Sequence, residues 1–323
     1  MNIINKFKSA YLQKLIQGHF ANNEINELHS LIAKEISNPY IVEPLKSIIQ
    51  NNIEGLEQSK LFKNNIYWVN SFDLDDTIYI NQFLEFYFAK KNLNISPISN
   101  YPMRLSKIFY HLFQNKKKLD FIDLINNSYL YQYLISLEQS NNTIFINSAS
   151  AFFSSNQNSF THHQLTSSYI YLVRNPLSLY TKYFSKYNDH QAVLNTLFNF
   201  DGMPKGHHYE INKKNIVIEE NSQSWSVNVN SWIDSNVMNT FRGIVIKIEE
   251  LSEKPDEILA DIISHLSLSL PNLSLDYQII IEFLDNNPFS NNLVPFKISN
   301  KQKKIILREM AQFKSIETLH YEI

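Results

Sequence analysis

The chain has 323 residues, a formal net charge of −2 and a pI near 6.6, a length that suits one large α/β domain, alone or with an appendage. This charge balance provides no overall field for nucleic acid or an anionic membrane, so any anion site must be built locally. The absence of cysteine excludes disulfides, thiolate metal sites and cysteine nucleophiles. We find no signal-peptide apolar region and no run of about 18 apolar residues, and therefore expect no membrane span and a cytoplasmic location.

Residues 1–62 read as a helical N-terminal extension, because apolar residues recur at helical spacing in 25–33 and 42–49. Residues 63–323 are then expected to form the α/β domain. The glycines Gly18, Gly55, Gly202, Gly206 and Gly243 are too scattered to build a glycine-rich phosphate loop of the Gly-x-x-x-x-Gly-Lys kind.

Several strands and helices of this domain follow from apolar periodicity and turn signals. The predicted elements are a strand at 65–69, a helix at 77–89, a helical block at 119–137, a strand at 143–146, a helix at 225–233 and a helix at 256–268. Between Phe184 and about Glu220 we expect an irregular or lid-like segment.

A buried strand at 168–173 runs directly into Arg174, Asn175 and Pro176, and a helical pattern with aromatic residues follows. Ligands of open α/β sheets bind outside the carboxyl ends of the strands. Arg174 is therefore predicted at the rim of a site, where its guanidinium could form a two-pronged contact with a phosphate. An arginine that only forms a salt bridge at a strand end is the competing interpretation.

This segment resembles the 3′-phosphate-binding segment of the sulfotransferase family, which reads strand, Arg-Asn/Asp-Pro, helix. Two later segments, 223–233 and 246–255, are similar in the same order to that family's Gly-Ser-Trp and Tyr-Glu-Asp-Leu blocks. The resemblance implies a sulfotransferase-like, P-loop-type α/β fold with a central, mostly parallel sheet flanked by helices.

The resemblance further implies transfer of a sulfuryl group from 3′-phosphoadenosine-5′-phosphosulfate to a hydroxyl or amine of a small molecule or glycan. Arg174 and Lys182 would hold the 3′-phosphate, with Lys182 standing where the family has serine. Thr77 and Ile78 would lie at the helix N-terminus that receives the 5′-phosphosulfate.

Two segments depart from the family pattern. In the loop 71–77, Ser71 and Thr77 match, but Leu74 replaces the basic residue and Asp76 replaces the glycine. A carboxylate beside a phosphate repels it by roughly 4 kcal/mol at 4 Å and an effective dielectric constant of 20. The strand at 143–146 is followed by Asn-Ser-Ala at 147–149 instead of the family's catalytic Lys-Thr-His. The sequence thus assigns no catalytic residue.

These departures leave a second hypothesis open, a catalytically inactive binding protein on the same fold. In that case the tyrosines of 129–133 and the tryptophans Trp225 and Trp232 are candidates for an interaction surface. The alternative for these aromatic residues is core packing.

A third, less favoured hypothesis concerns Asp73, Asp75 and Thr77, which resemble the nucleophile motif of haloacid-dehalogenase-type phosphatases. Asp73 would attack phosphorus, Asp75 would act as general acid/base and Mg²⁺ would neutralise both. No later acidic pair completes a metal site, and the simplest alternative is an Asp-rich N-cap.

Loop histidines that could approach the site are His162, His163, His207 and His208, although loop histidines are typically solvated.

Overall fold

The computed structural model describes residues 64–105, 118–119, 124, 126–138, 143–155, 158–198, 206–211, 216–289, 298–311, 319 and 321. The predicted helical extension at 1–62 lies outside these residues.

The strands in the described ranges form one larger and two smaller sheets. They are β1 (Ile66–Ser71), β2 (Ser99–Asn100), β3 (Lys118–Leu119), β4 (Ile144–Ser148), β5 (Ser154–Ser155), β6 (Asn158–Ser159), β7 (Thr166–Val173), β8 (Gly206–Ile211), β9 (Ile216–Asn221) and β10 (Gly243–Lys247).

The helices whose bounds lie within the described residues are α1 (Thr77–Lys90), α2 (Ser128–Glu138), α3 (Pro176–Tyr187), α4 (His190–Phe198), α5 (Trp225–Ile233), α6 (Ser235–Phe241), α7 (Ile248–Glu253), α8 (Pro255–Ser267), α9 (Tyr277–Asn286) and α10 (Asn300–Ala311).

The central sheet has five strands in the order β10-β7-β1-β4-β2, and every neighbouring pair is parallel. This confirms the predicted α/β class with a parallel sheet flanked by helices. All six residues of β1 are buried, as expected for a central strand covered on both faces. The strand continues past the predicted end at Val69, because Asn70 pairs with Ser148 and Tyr171 and Ser71 pairs with Leu172.

The two faces of the sheet have different cores. Tyr67 and Val69 of β1 face a core built with α1, α8 and α9. Ile66 and Trp68 face an aromatic core built with α2, α3, α4 and α5, since successive strand residues point to opposite faces. Tyr129, Tyr131, Tyr133, Trp225 and Trp232 all lie buried in this aromatic core. Core packing is confirmed for these residues, and an interaction surface built from them is wrong.

The segment predicted to be irregular or lid-like contains regular structure. It holds α4 and an antiparallel hairpin of β8 and β9, which β3 extends into a three-stranded sheet. The sequence did not predict the hairpin, because each of its strands has only six residues and three of the six are polar or charged. Of the block predicted to be helical at 119–137, residues 118–119 are the strand β3, Leu124 and Asn126 are helical, and α2 covers Ser128–Glu138. None of the helices in the described ranges has the length and apolar character needed to cross a membrane.

Candidate functional site at the ends of two neighbouring strands

The connections between strands change direction at the carboxyl ends of β1 and β7, and we refer to this region as the crevice. From β1 the chain passes through α1 to β2 on one side of the sheet, whereas from β7 it passes through α3 towards β10 on the other side. Ligands of open α/β sheets bind where the connections diverge in this way. The loop after β1 and the turn after β7 meet at this point, and they carry the residues that the sequence singled out.

The loop after β1 is held by its own aspartates. Asp73 caps a short 3₁₀ turn at Leu74–Asp76, its Oδ1 accepting a hydrogen bond of 3.1 Å from the backbone N–H of Asp75. The Thr77 hydroxyl donates to the carbonyl of Leu74 at 2.8 Å. Asp73 therefore caps the 3₁₀ turn, whereas Asp76, the N-cap residue of α1, makes no side-chain capping hydrogen bond. The Asp-rich N-cap predicted as the simplest alternative is thus present at the turn and not at the helix itself.

Arg174 and Asp76 form a buried, two-pronged ion pair across the crevice. Arg174 Nε lies 3.0 and 3.1 Å from the two carboxylate oxygens of Asp76, and a terminal guanidinium nitrogen lies 2.7 Å from Oδ1. The side chains are 10% and 2% exposed, respectively. Burial by itself lowers the pKa of Arg174, but the Asp76 carboxylate outweighs that effect and the pKa is raised. The guanidinium remains charged, and its fork is directed at a carboxylate of its own chain.

Lys182 is shared between the other two aspartates of the loop. Its Nζ lies 2.6 Å from Asp73 Oδ2 and 3.1 Å from Asp75 Oδ2. The Asp73 side chain is 9% exposed and that of Asp75 71% exposed, so the pair with Asp73 is the more strongly desolvated. Burial lowers the pKa of Lys182, but the charge of Asp73 outweighs it and the pKa is raised. Burial and the charges of Asp73 and Asp76 raise the pKa of neighbouring Tyr183 well above its usual range.

The turn after β7 is fixed by hydrogen bonds from several elements. The indole N–H of Trp225 donates to the Arg174 carbonyl at 3.1 Å. Asn175 caps α3 through its side chain, and its backbone N–H donates to Glu249 Oε1 at 3.0 Å. The Tyr321 hydroxyl donates to Glu249 Oε2 at 3.3 Å. Helix α5, helix α7 and the C-terminal segment thus hold Arg174 in position, because each contacts this turn.

The remaining residues assigned to a cofactor differ in exposure. Thr77 is 1% exposed and its hydroxyl serves the loop, whereas the Ile78 side chain is 51% exposed. The structure brings Arg174, Lys182 and the loop before Thr77 together and leaves Ile78 facing outward. The assignment of these residues to a cofactor stays a prediction.

The histidines named as candidates do not gather at this crevice among the described residues. His162 lies in the turn before β7, at the amino edge of the sheet, and its carbonyl accepts from Leu165 and Thr166. Burial, with a contribution from His163, lowers the pKa of His162 to about 4. The Gln164 backbone N–H donates to His162 Nδ1 at 3.2 Å, which fits a neutral ring. His207 and His208 belong to β8, and their side chains lie outside the described part.

The carboxyl end of β4 carries Asn147 and Ser148 in place of a catalytic lysine and histidine. The Ser148 hydroxyl donates to Glu220 Oε1 at 2.6 Å, and both residues are fully buried. Sequence reasoning missed Glu220, although an acidic residue near the end of the Ile-rich segment 216–221 was a usable signal. Burial of a carboxylate requires partners, and Ser148 is one of them.

Chemically, the crevice joins three loop carboxylates to two cations, and each of these charges lies within 3.1 Å of an opposite one. No group of three or more metal-ligating side chains that could hold a metal ion occurs within the described ranges.

Comparison with known proteins adds no family assignment, since no family model matches the chain and no curated protein matches it.

Proposed function

We propose that this chain is a catalytically inactive, sulfotransferase-like protein, in which the loop after β1 neutralises the cations that would otherwise hold the nucleotide. The observation that carries the proposal is the buried, two-pronged pair of Arg174 with Asp76. In this arrangement the carboxylate of Asp76 takes the role that a phosphate would have.

Electrostatics supports this proposal over active sulfuryl transfer. A phosphate that contacts Arg174 must displace Asp76 or lie beside it, and Asp73 and Asp75 are held nearby by Lys182. Each like-charge pair at 4 Å costs roughly 4 kcal/mol at an effective dielectric constant of 20. Displacement would also leave a carboxylate that is 2% exposed without its cation, which is unfavourable in a buried position.

The residues at the end of β4 support the same proposal, because they do not include the groups that catalysis of sulfuryl transfer needs. Sulfuryl transfer to a hydroxyl needs a group that accepts the hydroxyl proton and a cation that stabilises the transferred group. Asn147 is neutral, and Ser148 is fully buried against Glu220. Neither residue supplies a cation, and the Ser148 hydroxyl is already committed to a carboxylate.

Calorimetric titration with adenosine 3′,5′-bisphosphate tests the proposal. The wild-type protein is expected to give no saturable heat up to about millimolar nucleotide, a threshold of roughly −4 kcal/mol of binding free energy. Asp76→Asn removes the competing charge while keeping the size of the side chain, and it is expected to gain measurable affinity through Arg174.

Asp261→Asn provides the matched control, because Asp261 is an exposed carboxylate on α8 and its loss leaves the crevice unchanged. Micromolar binding by the wild-type protein that disappears in Arg174→Ala would contradict the proposal and restore the sulfuryl-transfer hypothesis. Sulfuryl transfer to a panel of phenols and amines, measured with the sulfated donor nucleotide, would contradict it as well.

A further inference from the structure

A second group of polar side chains lies beside the charged crevice, on the aromatic face of the sheet. It comprises Asn70, Ser148, Tyr171, Glu220 and Asn228, all 0% exposed. Asn70 is the central member, because it pairs with Ser148 of β4 on one side and with Tyr171 of β7 on the other. Alternation along β1 directs its side chain to the same face as Trp68.

Most of this group is hydrogen-bonded within the protein. The Tyr171 hydroxyl donates to Asn228 Oδ1 at 2.8 Å, and Asn228 Nδ2 donates to the carbonyls of Ala149 and Ser222, each at 2.8 Å. Ser148 donates to Glu220. Asn228 therefore ties helix α5 to the ends of β4 and β9.

Asn70 is the exception in this group. Neither its Nδ2 nor its Oδ1 has a hydrogen-bond partner, although both atoms are buried. An unpaired buried polar group costs roughly 1–3 kcal/mol, and most buried polar side chains in native proteins are paired with protein or ordered water. A central strand position with two unsatisfied amide atoms thus points to a partner that is not part of the chain.

The chemistry of the amide restricts that partner. Nδ2 donates and Oδ1 accepts, so a single guest that serves both atoms must accept one hydrogen bond and donate another. A fully deprotonated anion cannot donate, and an anion of any kind would be repelled by Glu220, which contacts the neighbouring Ser148. A metal cation cannot accept from Nδ2. A small hydroxyl-bearing guest meets both requirements.

We infer that Asn70 anchors a buried water molecule in the floor of the crevice, between the ends of β4 and β7. Buried waters typically make about three hydrogen bonds to otherwise unpaired groups, and Ser148, Tyr171 and Glu220 are the polar neighbours on this face. The inference rests on Asn70 and its strand neighbours alone, and it is independent of the proposed function.

A crystal structure of the wild-type protein at about 2 Å or better tests this site directly. We expect a density peak of one water molecule within about 3.2 Å of Asn70 Nδ2 or Oδ1, because that is the upper range of ordinary hydrogen bonds. Absence of such density, with the amide packed only against protein atoms, would overturn the inference. Density for a larger, polyatomic guest would overturn it equally.

A solution measurement supplies the second test. In ¹⁵N-labelled protein we expect the Asn70 side-chain amide protons to show a nuclear Overhauser effect to long-lived water, which exposed amides of similar size do not show. Asn70→Leu should remove the density peak, whereas Asn239→Leu, an exposed position on α6, should leave both observations unchanged. Retention of the peak in Asn70→Leu would overturn Asn70 as the anchor.

Discussion

Strand β1 ends between two regions that hold their polar groups in different ways. On the β7 side the groups are charged, and Arg174, Lys182 and the loop aspartates neutralise one another within the chain. On the β4 side the groups are mostly neutral and fully buried, and Asn70 has no partner there within the described chain. The difference teaches that a ligand site cannot be located from charged residues alone, because charges that pair internally are already satisfied.

Among the changes considered, Asp76→Ala is expected to lower the free energy of unfolding the most, because it removes the buried ion pair on the charged side of β1. The change leaves the Arg174 guanidinium buried without its carboxylate, and removal of one partner of a buried pair typically costs about 3–5 kcal/mol. Urea denaturation of the two proteins measures the loss in the free energy of unfolding. A loss under about 1 kcal/mol would mean that Arg174 is solvated or finds another carboxylate.

The double variant Arg174→Met with Asp76→Leu provides the control for that experiment. Since it removes both charges and fills the space with apolar atoms, we expect a stability near or above that of the wild-type protein, as found for other buried pairs. The double variant also keeps the test informative if Asp76→Ala does not fold.

The next largest loss of stability is expected on acidification, through the buried neutral side chain of His162 at the opposite edge of the sheet. Its pKa is lowered from 6.5 to about 4 in the folded protein, so the unfolded chain binds the proton more tightly than the folded one. Stability is therefore lost as the pH falls below 6.5, and the loss is complete below about pH 4. Over that range it amounts to roughly 3 kcal/mol for this one group.

Urea denaturation between pH 7 and pH 4 separates this contribution from that of the carboxylates. His162→Gln cannot titrate, and we expect its stability to fall less steeply with acidification than that of the wild-type protein. Parallel pH profiles for the two proteins would show that His162 is protonated equally well in the folded state.

A smaller loss in the free energy of unfolding is expected from Lys182→Met, which tests the second ion pair on the charged side. The Lys182 side chain is 30% exposed and that of Asp73 is 9% exposed, so this pair is intermediate between an exposed and a fully buried ion pair. We expect a loss of about 1–2 kcal/mol, measured by denaturation. An equal loss in Lys186→Met, a lysine at the C-terminal end of the same helix, would assign the effect to the helix instead of to the pair.

The smallest effect is expected from Asp75→Asn. Because this carboxylate is 71% exposed, its pair with Lys182 is screened by water and its loss should change the stability by less than about 0.5 kcal/mol. Thermal denaturation at low and at high salt measures it. A large loss that vanishes at high salt would indicate that Asp75 organises the loop electrostatically.

Local signals predicted most of the central sheet correctly. Apolar runs located β1, β4 and β7, and the Arg-Asn-Pro turn placed the start of α3, because these features depend on neighbouring residues only. The extension of β1 through Asn70 and Ser71 could not be predicted, since pairing with β4 and β7 decides it. The hairpin of β8 and β9 depends in the same way on tertiary contacts.

At the ends of β1 and β7, the sequence singled out Arg174, Lys182 and the loop aspartates, but it could not show which of their charges pair. Arg174 and Asp76 are 98 positions apart, and periodicity contains no information on contacts at that separation. The contact between Ser148 and Glu220, 72 positions apart, was missed for the same reason. The Asp residues that conflict with a phosphate loop were the visible sign that Arg174 has a partner within the chain.

The pair between Arg174 and Asp76 makes the protein its own competitor for anions. A group fixed in the same molecule acts at an effective concentration set by geometry, and neither dilution nor dialysis reduces it. Any anion from solution must therefore displace the Asp76 carboxylate, which is present once in every molecule. We expect the fraction of molecules in which Arg174 is paired with Asp76 to change very little with dilution or dialysis during purification.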